Sequence, residues 1–304
     1  MTASVRIAPE VADALRRRSP VVALESTLIT HGLPPPDNLR TAAAMEAAIR
    51  AAGAVPATIA VIGGRPTVGI GAAEIARLAG LPRERVRKCS PRDLPFAMAR
   101  GEDGATTVAA TMALAQLAGI AVFATGGIGG VHRGRPFDVS ADLIELSRTP
   151  VAVVCSGPKA ILDLPATLEV LESYGVPVIG FGTATLPGFY TRSSGLAVDA
   201  TANSPAEAAR IVAASARLGA GRGLLIAVPP PAAHALKGDA ADAAIAQAVR
   251  EADERGLLGR ALTPFLLARV AELTDGASLR ANAALLENNA RVAAEIAAAL
   301  AGCS

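Results

Sequence analysis

Residues 151–181 read VAVVCSGPKAILDLPATLEVLESYGVPVIGF, and this stretch holds the plan of the chain. Val151 to Val154 is a short apolar, β-branched run, the pattern of a strand buried on both faces. Ser156-Gly157-Pro158 interrupts it. From about Ala160 to Tyr174 the pattern turns helical, Gly175 stops it, and Val176 to Phe181 returns to strand.

Outward from this unit the alternation continues. Val21 to Leu24 reads as a strand, and Asp37 is placed to cap a helix carrying Leu39, Ala43, Met45, Ala47 and Ile49. Thr58 to Ile62 and Thr67 to Ile70 form a predicted hairpin across Gly63-Gly64-Arg65-Pro66. A helix from about Ala105 to Leu117 precedes a strand at Ala121 to Ala124, and Leu224 to Val228 is a further strand. The C-terminal stretch is helical, with Pro264 near one helix start and Gly276 closing it before Ser278 opens the last. Strands alternating with helices predict an α/β fold, a mostly parallel sheet covered on both faces, in one domain over residues 1–304. In such sheets ligands sit beyond the carboxyl ends of the strands.

Half the 304 residues are apolar, enough for a large core, while 29 basic against 27 acidic residues leave a net charge of +2. That balance gives no concentrated basic face for a nucleic acid. Arg16-Arg17-Arg18 reads as the solvated end of a short helix. Three scattered cysteines, Cys89, Cys155 and Cys303, predict a reducing compartment without disulfides. With neither a leader nor a membrane-length apolar run, the chain reads as soluble and cytoplasmic. Of the 29 basic residues only Lys88, Lys159 and Lys237 are lysines, leaving 26 arginines. An ammonium can lose its proton and act as nucleophile or base, which a guanidinium cannot.

Five predicted strand ends carry polar residues: Glu25-Ser26-Thr27 with His31; Lys88-Cys89-Ser90; Thr125 to Gly134 with Asp138 and Asp142; Ser156 to Lys159; and Gly182-Thr183 with Phe189 to Arg192. Lys159 follows a strand and a Gly-Pro pair and is read as opening a helix. That setting disfavours the ammonium, so a neutral amine could form a Schiff base with an aldehyde; an exposed loop lysine fits almost as well. The glycine-rich stretch 126–134 matches neither the dinucleotide fingerprint nor the P-loop, but its amides could nest an anion, with His132 and Thr125 adding donors. Asp138 and Asp142, four apart at an expected helix start, could share one face and hold a divalent cation; simple helix capping explains them equally. Glu25 fits a general acid or a sheet-edge salt bridge. Asn282 and His31 are open between ligand contact and structure, His234 and Lys237 read as surface, and Leu285, Leu286, Ala290, Val292 and Ile296 as core.

Together these segments resemble the pseudouridine-5'-phosphate glycosidases, or indigoidine synthase A-like proteins. The resemblance rests on Ala23-Leu24-Glu25-Ser26-Thr27 with His31-Gly32, Gly126 to Gly134, Phe137 to Asp142, Ser156 to Lys159, Phe189-Tyr190-Thr191, Leu262 to Leu267, Ser278-Leu279 with Asn282, and Asn288-Asn289-Ala290, covering nearly the whole chain in order. It implies an α/β/α sandwich with a mostly parallel or mixed central sheet, assembled as a homotrimer. The implied reaction is reversible cleavage of the C–C glycosidic bond of pseudouridine 5'-phosphate to uracil and ribose 5-phosphate. By the same resemblance Lys159 is the covalent nucleophile, Glu25 the proton donor, Asp142 a further catalytic group and Asp138 the ligand of one Mn2+ per subunit, with Mg2+ an alternative. Substrate contacts would fall on Lys88, Val108, Thr125, His132, Ser140, Ala141, Asp142 and Asn282. Two segments depart from the family pattern, 182–186 and 228–231, where an altered pocket rim is expected. A C–C glycosidic bond has no leaving heteroatom to protonate, so a lysine imine is a better electron sink than paired carboxylates alone. Two other readings use the same residues, a Schiff-base aldolase of sugar phosphates and a sugar-phosphate-binding regulatory protein without catalysis.

Overall fold

The unit at 151–181 folds as strand, helix, strand, with a later helix start than its pattern suggests. Its helix begins at Leu164 because the Asp163 side chain caps it, accepting from Ala166 N at 3.0 Å. Residues 5–257 and 262–302 are described by this computed structural model, so Cys303 lies outside the described residues.

In chain order the elements are β1 (Arg6–Ile7), α1 (Pro9–Arg16), β2 (Val21–Glu25), α2 (Asp37–Ala51), β3 (Val55–Ile62), β4 (Arg65–Val68), α3 (Ala72–Gly80), β5 (Arg87–Cys89), α4 (Leu94–Arg100), β6 (Gly104–Thr106), α5 (Val108–Ala118) and β7 (Val122–Ala124). There follow β8 (Val131–His132), β9 (Arg135–Val139), α6 (Ala141–Leu146), β10 (Ala152–Cys155), β11 (Leu162–Asp163), α7 (Leu164–Ser173), β12 (Val178–Phe181), β13 (Ala200–Ala202), α8 (Pro205–Leu218), β14 (Leu224–Ala227), α9 (Gly238–Glu254), α10 (Leu262–Leu273) and α11 (Ala277–Ala301).

The main sheet runs β1-β4-β3-β2-β7-β10-β14-β12-β13. From β3 to β13 every neighbouring pair is parallel. The predicted hairpin is present, shorter in its turn than expected: Ile62 pairs with Arg65, and Gly63 and Gly64 make the turn at φ of 54° and 79°. Both positions need the left-handed region that glycine reaches freely. Where β2 stops, β6 pairs with the far end of β3, and β5 with β6. A small antiparallel sheet, β11-β8-β9, stands apart.

Strands β10 and β14 are buried at every residue because helices cover both faces. Val22, Leu24, Val122, Ala124, Val154 and Ile226 pack with α2, α8, α9, α10 and α11. Their alternates, Ala23, Phe123, Val153 and Leu225, pack with α1, α5, α6 and α7. This is an α/β/α sandwich with a mixed, mostly parallel sheet. Leu285, Leu286, Ala290, Val292 and Ile296 are all buried on α11, as their spacing predicts.

Three local expectations change. Asp37 is the first helical residue of α2 rather than its cap. Helix α5 starts at Val108 because Thr107 caps it, and residues 104–106 are strand. Asp138 lies on β9 while Asp142 lies on α6, whose cap is Ser140 accepting from Asp142 N at 3.2 Å. The two aspartates therefore do not share a helical face. No helix among the described residues is long and apolar enough to cross a membrane.

Candidate active site

Strands β2, β7 and β10 are consecutive in the sheet, with Leu24 opposite Ala124 and Ala124 opposite Val154. The chain therefore delivers Glu25 and Thr125 side by side at the carboxyl edge, with Ser156 one residue further out on the next strand's exit. Above them lies a cleft of two lobes, with cavity volumes of about 320 Å³ and 280 Å³. Glu25, Thr27, Lys88, Lys159 and Thr263 line both, and so form the seam between them.

The larger lobe is walled by Leu28, Leu33, Phe189, Leu267, Leu279 and Leu286, with His31, Arg83, Thr125 and Asn282 among them. The smaller is polar, bounded by Arg92, Val108, His132, Asp138, Ser140 and Asp142. Of the catalytic, metal and substrate residues implied by the resemblance, all but Ala141 line one lobe or the other, whereas Thr183 and Arg192 of the fifth strand end line neither. Ala141 opens α6 as an exposed residue. Two of the three lysines meet here, while Lys237 stands outside both lobes before α9 and His234 is exposed.

Glu25 ends the interior strand β2 and, among the described residues, makes no sheet-edge salt bridge. Burial pushes its carboxyl above the usual range; the Lys159 ammonium, a hydrogen bond from the Thr125 hydroxyl and Lys88 pull it back, while Asp142 adds to the rise. Thr125 is itself held from below. Its carbonyl accepts from Asn289 Nδ2 at 3.0 Å, and the same amide donates to Ser156 Oγ at 3.1 Å. Asn289 is fully buried, so one α11 side chain ties together the ends of β7 and β10.

Lys159 sits in the loop between β10 and β11, its backbone N–H donating to Ile128 O at 3.0 Å. It does not open a helix, since α7 starts five residues later, and the helix-terminus argument for a neutral amine falls away. Its place facing Glu25 across the seam stands.

Asp142 is 6% exposed, and both its oxygens are committed: one accepts from Ala109 N at 2.9 Å, the other from Gly129 N at 2.8 Å. It clamps the start of α6 to the start of α5 and to the glycine-rich loop. That loop is in part committed within the protein. Ile128 N donates to Gly157 O, Gly129 N to Asp142 and Val131 N to Thr167 Oγ1, so these amides are spent within the protein. The glycines allow close approach: a Cβ on Gly129 would stand 2.2 Å from Ser140 Oγ, and one on Gly127 2.6 Å from the Phe189 ring.

Burial lowers the pKa of His132 below the usual imidazole value, against the pull of Asp138, with Arg135 and Lys159 assisting. His31 is lowered likewise, by burial first and then by Lys88 and Arg83. Its Nδ1 lies 2.5 Å from Thr30 Oγ1. Cys89 and Cys155 are both buried, and burial pushes the Cys155 thiol up to about 12. Neither 182–186 nor 228–231 lines a lobe, so the expected change to the pocket rim is not there. Thr183 and Thr185 bond instead within their own loop and to Ser193.

Sequence reasoning missed Arg83, Arg92 and the α10 wall, and gave Asn289 no role. Asn289 carried a usable signal: an amide on the same helical stripe as Leu285 and Leu286 is buried and must find partners. Phe189, named at the fifth strand end, does line the larger lobe, but its φ of 65°, a strained setting for an aromatic residue, is visible only in the backbone.

Comparison with known proteins places this geometry. The family model described as "Indigoidine synthase A like protein" matches residues 10–299. A pseudouridine-5'-phosphate glycosidase of Chloroflexus aurantiacus is 58% identical over 298 residues, 96% of this chain and 97% of the relative. Its counterpart in Escherichia coli K12 is 54% identical over 295 residues, 96% and 94% of the two chains. Among solved structures, the prealnumycin C-glycosynthase AlnA in complex with ribulose 5-phosphate aligns with a TM-score of 0.91 and 40% identity, covering 98% of this chain and 97% of that one. An indigoidine synthase A-like protein of Thermotoga maritima aligns at 0.88 and 34%, over 98% and 96%.

Proposed function

The chain belongs to the indigoidine synthase A-like family, and on that footing we propose that it reversibly cleaves the C–C bond joining uracil to C1′ of ribose 5-phosphate in pseudouridine 5'-phosphate. The observation that carries this reading is the pairing of Lys159 with Glu25 on the seam between a polar and an apolar lobe. A sugar phosphate on one side and a base on the other would put the bond between them at that seam.

In the proposed sequence the Lys159 amine bonds to C1′ as the C1′–O4′ bond breaks and O4′ takes a proton. Glu25 then gives its proton to C5 of the base. The nitrogen lone pair forms the C1′=N bond as the C1′–C5 bond breaks, releasing uracil. Water hydrolyses the imine to ribose 5-phosphate and frees the amine. A buried carboxyl with raised pKa is suited to the donor's part, since it keeps its proton to higher pH than an exposed glutamate. Asp142, with both oxygens on backbone amides, acts by positioning Gly129 and the start of α5.

The phosphate belongs in the polar lobe, where Lys88, Arg92 and His132 converge near the N-terminus of α5. Thr125, whose hydroxyl serves Glu25 in the other lobe, is dropped as a phosphate contact. The implied Mn2+ or Mg2+ fits the donor set there. Among the described residues no three His, Cys, Asp or Glu side chains gather, but such an ion is often held by one or two carboxylates with water and substrate phosphate. Asp138 would be its protein ligand, and the ion would supply positive charge to substrate oxygens. The absence of a disulfide between the buried Cys89 and Cys155 supports a reducing compartment, and assembly as a homotrimer belongs to the same proposal.

Incubation with pseudouridine 5'-phosphate, following free uracil by its ultraviolet spectrum, tests the activity; no uracil with or without added Mn2+ would refute it. Formation of a shorter aldehyde would favour the aldolase reading, and ribose 5-phosphate binding without turnover the regulatory one. Full activity after exhaustive chelation would remove the metal from the proposal, and sedimentation as a monomer would remove the trimer.

A further inference from the structure

Strand β3 is shared by two partners along one edge. β2 pairs with it from Val21 opposite Val55 to Glu25 opposite Ile59, and β6 then takes over at Ala60 and Val61, while β4 fills the other edge. Glu25 is thus the last residue before the change of partner, and the residues after it leave the ladder. Thr106, the last residue of β6, stands at that junction and is fully buried. Its N–H donates to Ser26 Oγ at 2.9 Å and its carbonyl accepts from Thr27 Oγ1 at 2.7 Å. Two side-chain hydroxyls therefore hold the exit of β2 where its ladder bonds end. The Thr106 hydroxyl donates to Ile59 O, on the register partner of Glu25, at 2.7 Å and accepts from Thr111 Oγ1 at 2.9 Å. Along the opposite edge of β6 runs β5, with Ala105 opposite Lys88 and Thr106 opposite Cys89. The next amide, Thr107 N, donates to Cys89 O at 2.9 Å, and Thr107 caps α5 at the polar lobe.

We propose that Thr106 is a positioning residue for the acid: through Ser26, Thr27 and Ile59 it ties Glu25 to the strand that carries Lys88 and to the start of α5, and so fixes the proton donor on the seam. The inference rests on the reading of Glu25 as the donor to C5 of the base. A fully satisfied buried hydroxyl web is rigid, and a reacting group displaced by about 1 Å can lose about a hundredfold in rate. Lys159 is delivered by the exit of β10 instead. Attack on C1′ is therefore independent of this junction, whereas protonation of C5 depends on it.

That difference supplies the test. Thr106→Val keeps the shape and both backbone bonds but removes the hydroxyl, and Thr106→Ser restores it. Two reactions are followed in each variant: uracil release from pseudouridine 5'-phosphate, and borohydride trapping of ribose 5-phosphate, which forms the imine without a proton to C5. Thr106→Val should lose at least about tenfold in kcat for uracil release, with KM unchanged, and still trap the sugar at the parent rate. Thr106→Ser should recover most of kcat. Thr111→Val, equally buried on the same web but bonded to neither β2 nor β3, should lower the melting temperature and leave kcat in place. Ser26→Ala cuts the tether from the β2 side and should show the same split in smaller measure, which decides the case if Thr106→Val does not fold. Parent kcat in Thr106→Val, loss of trapping along with release, or an equal fall of kcat in Thr111→Val overturns the inference and leaves the proposed activity standing. No uracil release by the parent overturns both.

Discussion

The two lobes share five residues and almost nothing else. The polar lobe is built from loop and cap residues, with Val108 and Ser140 at helix starts, His132 and Asp138 on the small sheet, and Arg92 beside β5. The apolar lobe is built from the sides of α10 and α11 and from the turn after β2. Backbone ends and charged groups gather where an anion would be placed, and side-chain surface where a planar base would be. Under the proposed function the contrast assigns the reaction to the seam, because only groups there would reach both halves of a substrate. It also sets an order of consequences: seam residues first, polar-lobe residues next, supports under the floor last.

The sharpest break is at Lys159. Lys159→Arg keeps the charge but cannot form an imine, so turnover should fall by at least about a thousandfold, the scale on which covalent nucleophiles act. Borohydride with ribose 5-phosphate should add a reduced sugar-phosphate mass to the peptide containing Lys159 and to none in the variant. A mass on Lys88, the other lysine of the seam, would move the nucleophile; uracil release without any adduct would remove covalent catalysis altogether.

Glu25→Gln should cost about a hundredfold to ten-thousandfold in kcat, the usual yield of a positioned acid. In the parent, kcat should decline as pH rises through the raised Glu25 pKa, and the variant should lack that limb. Stability gives an independent readout. A carboxyl whose folded-state pKa is raised binds its proton more tightly in the native state, so its contribution is full below the unfolded value and is lost as pH rises through the folded one. Glu25→Gln should therefore melt higher than the parent near neutral pH, and the gap should close toward pH 4. A variant that melts lower at pH 8 would contradict the burial argument.

The polar lobe should show itself through the substrate. Pseudouridine lacking its 5'-phosphate should lose about two to three orders of magnitude in kcat/KM, since phosphate contacts remote from C1′ supply binding energy to the transition state. His132→Ala should narrow that gap while Asn282→Ala leaves it unchanged. The opposite pattern would exchange the lobes.

Periodicity carried most of the architecture. Runs such as Val151 to Val154 and Leu224 to Val228 identify buried parallel strands because helices on both faces demand apolar side chains at every position. The rule of strand carboxyl ends then led to Glu25, Thr125 and Lys159. What stayed hidden depends on side-chain bonds across the chain. Asp138 and Asp142 look like an i,i+4 pair until Ser140 is seen to cap α6 between them, and the amide of Gly129 in the glycine-rich loop looks open to a ligand until it is found on Asp142. The wall from α10 was unreadable for another reason: Leu267 and Ala268 are apolar residues in an amphipathic helix, and no pattern separates a pocket wall from a core face.

Smallest in effect, and most informative about the floor, is Asn289. It lies seven residues, two helical turns, beyond Asn282 on one face of α11, so a single helix presents one amide to the cavity and another beneath it. Asn289→Ala strips a donor from Thr125 O and Ser156 Oγ in a fully buried place and should cost about 1–3 kcal/mol of stability. Loosening Thr125 also loosens its hydroxyl against Glu25, a bond that holds that carboxyl down. The variant should thus lose about tenfold in kcat with little change in KM, less than a missing acid costs, and its alkaline pH limb should move upward. Asn282→Ala should do the reverse, raising KM while leaving both melting temperature and the pH limb in place. If Asn289→Ala raises KM and spares the pH limb, the floor does not tune the acid, and Asn289 is a packing residue only.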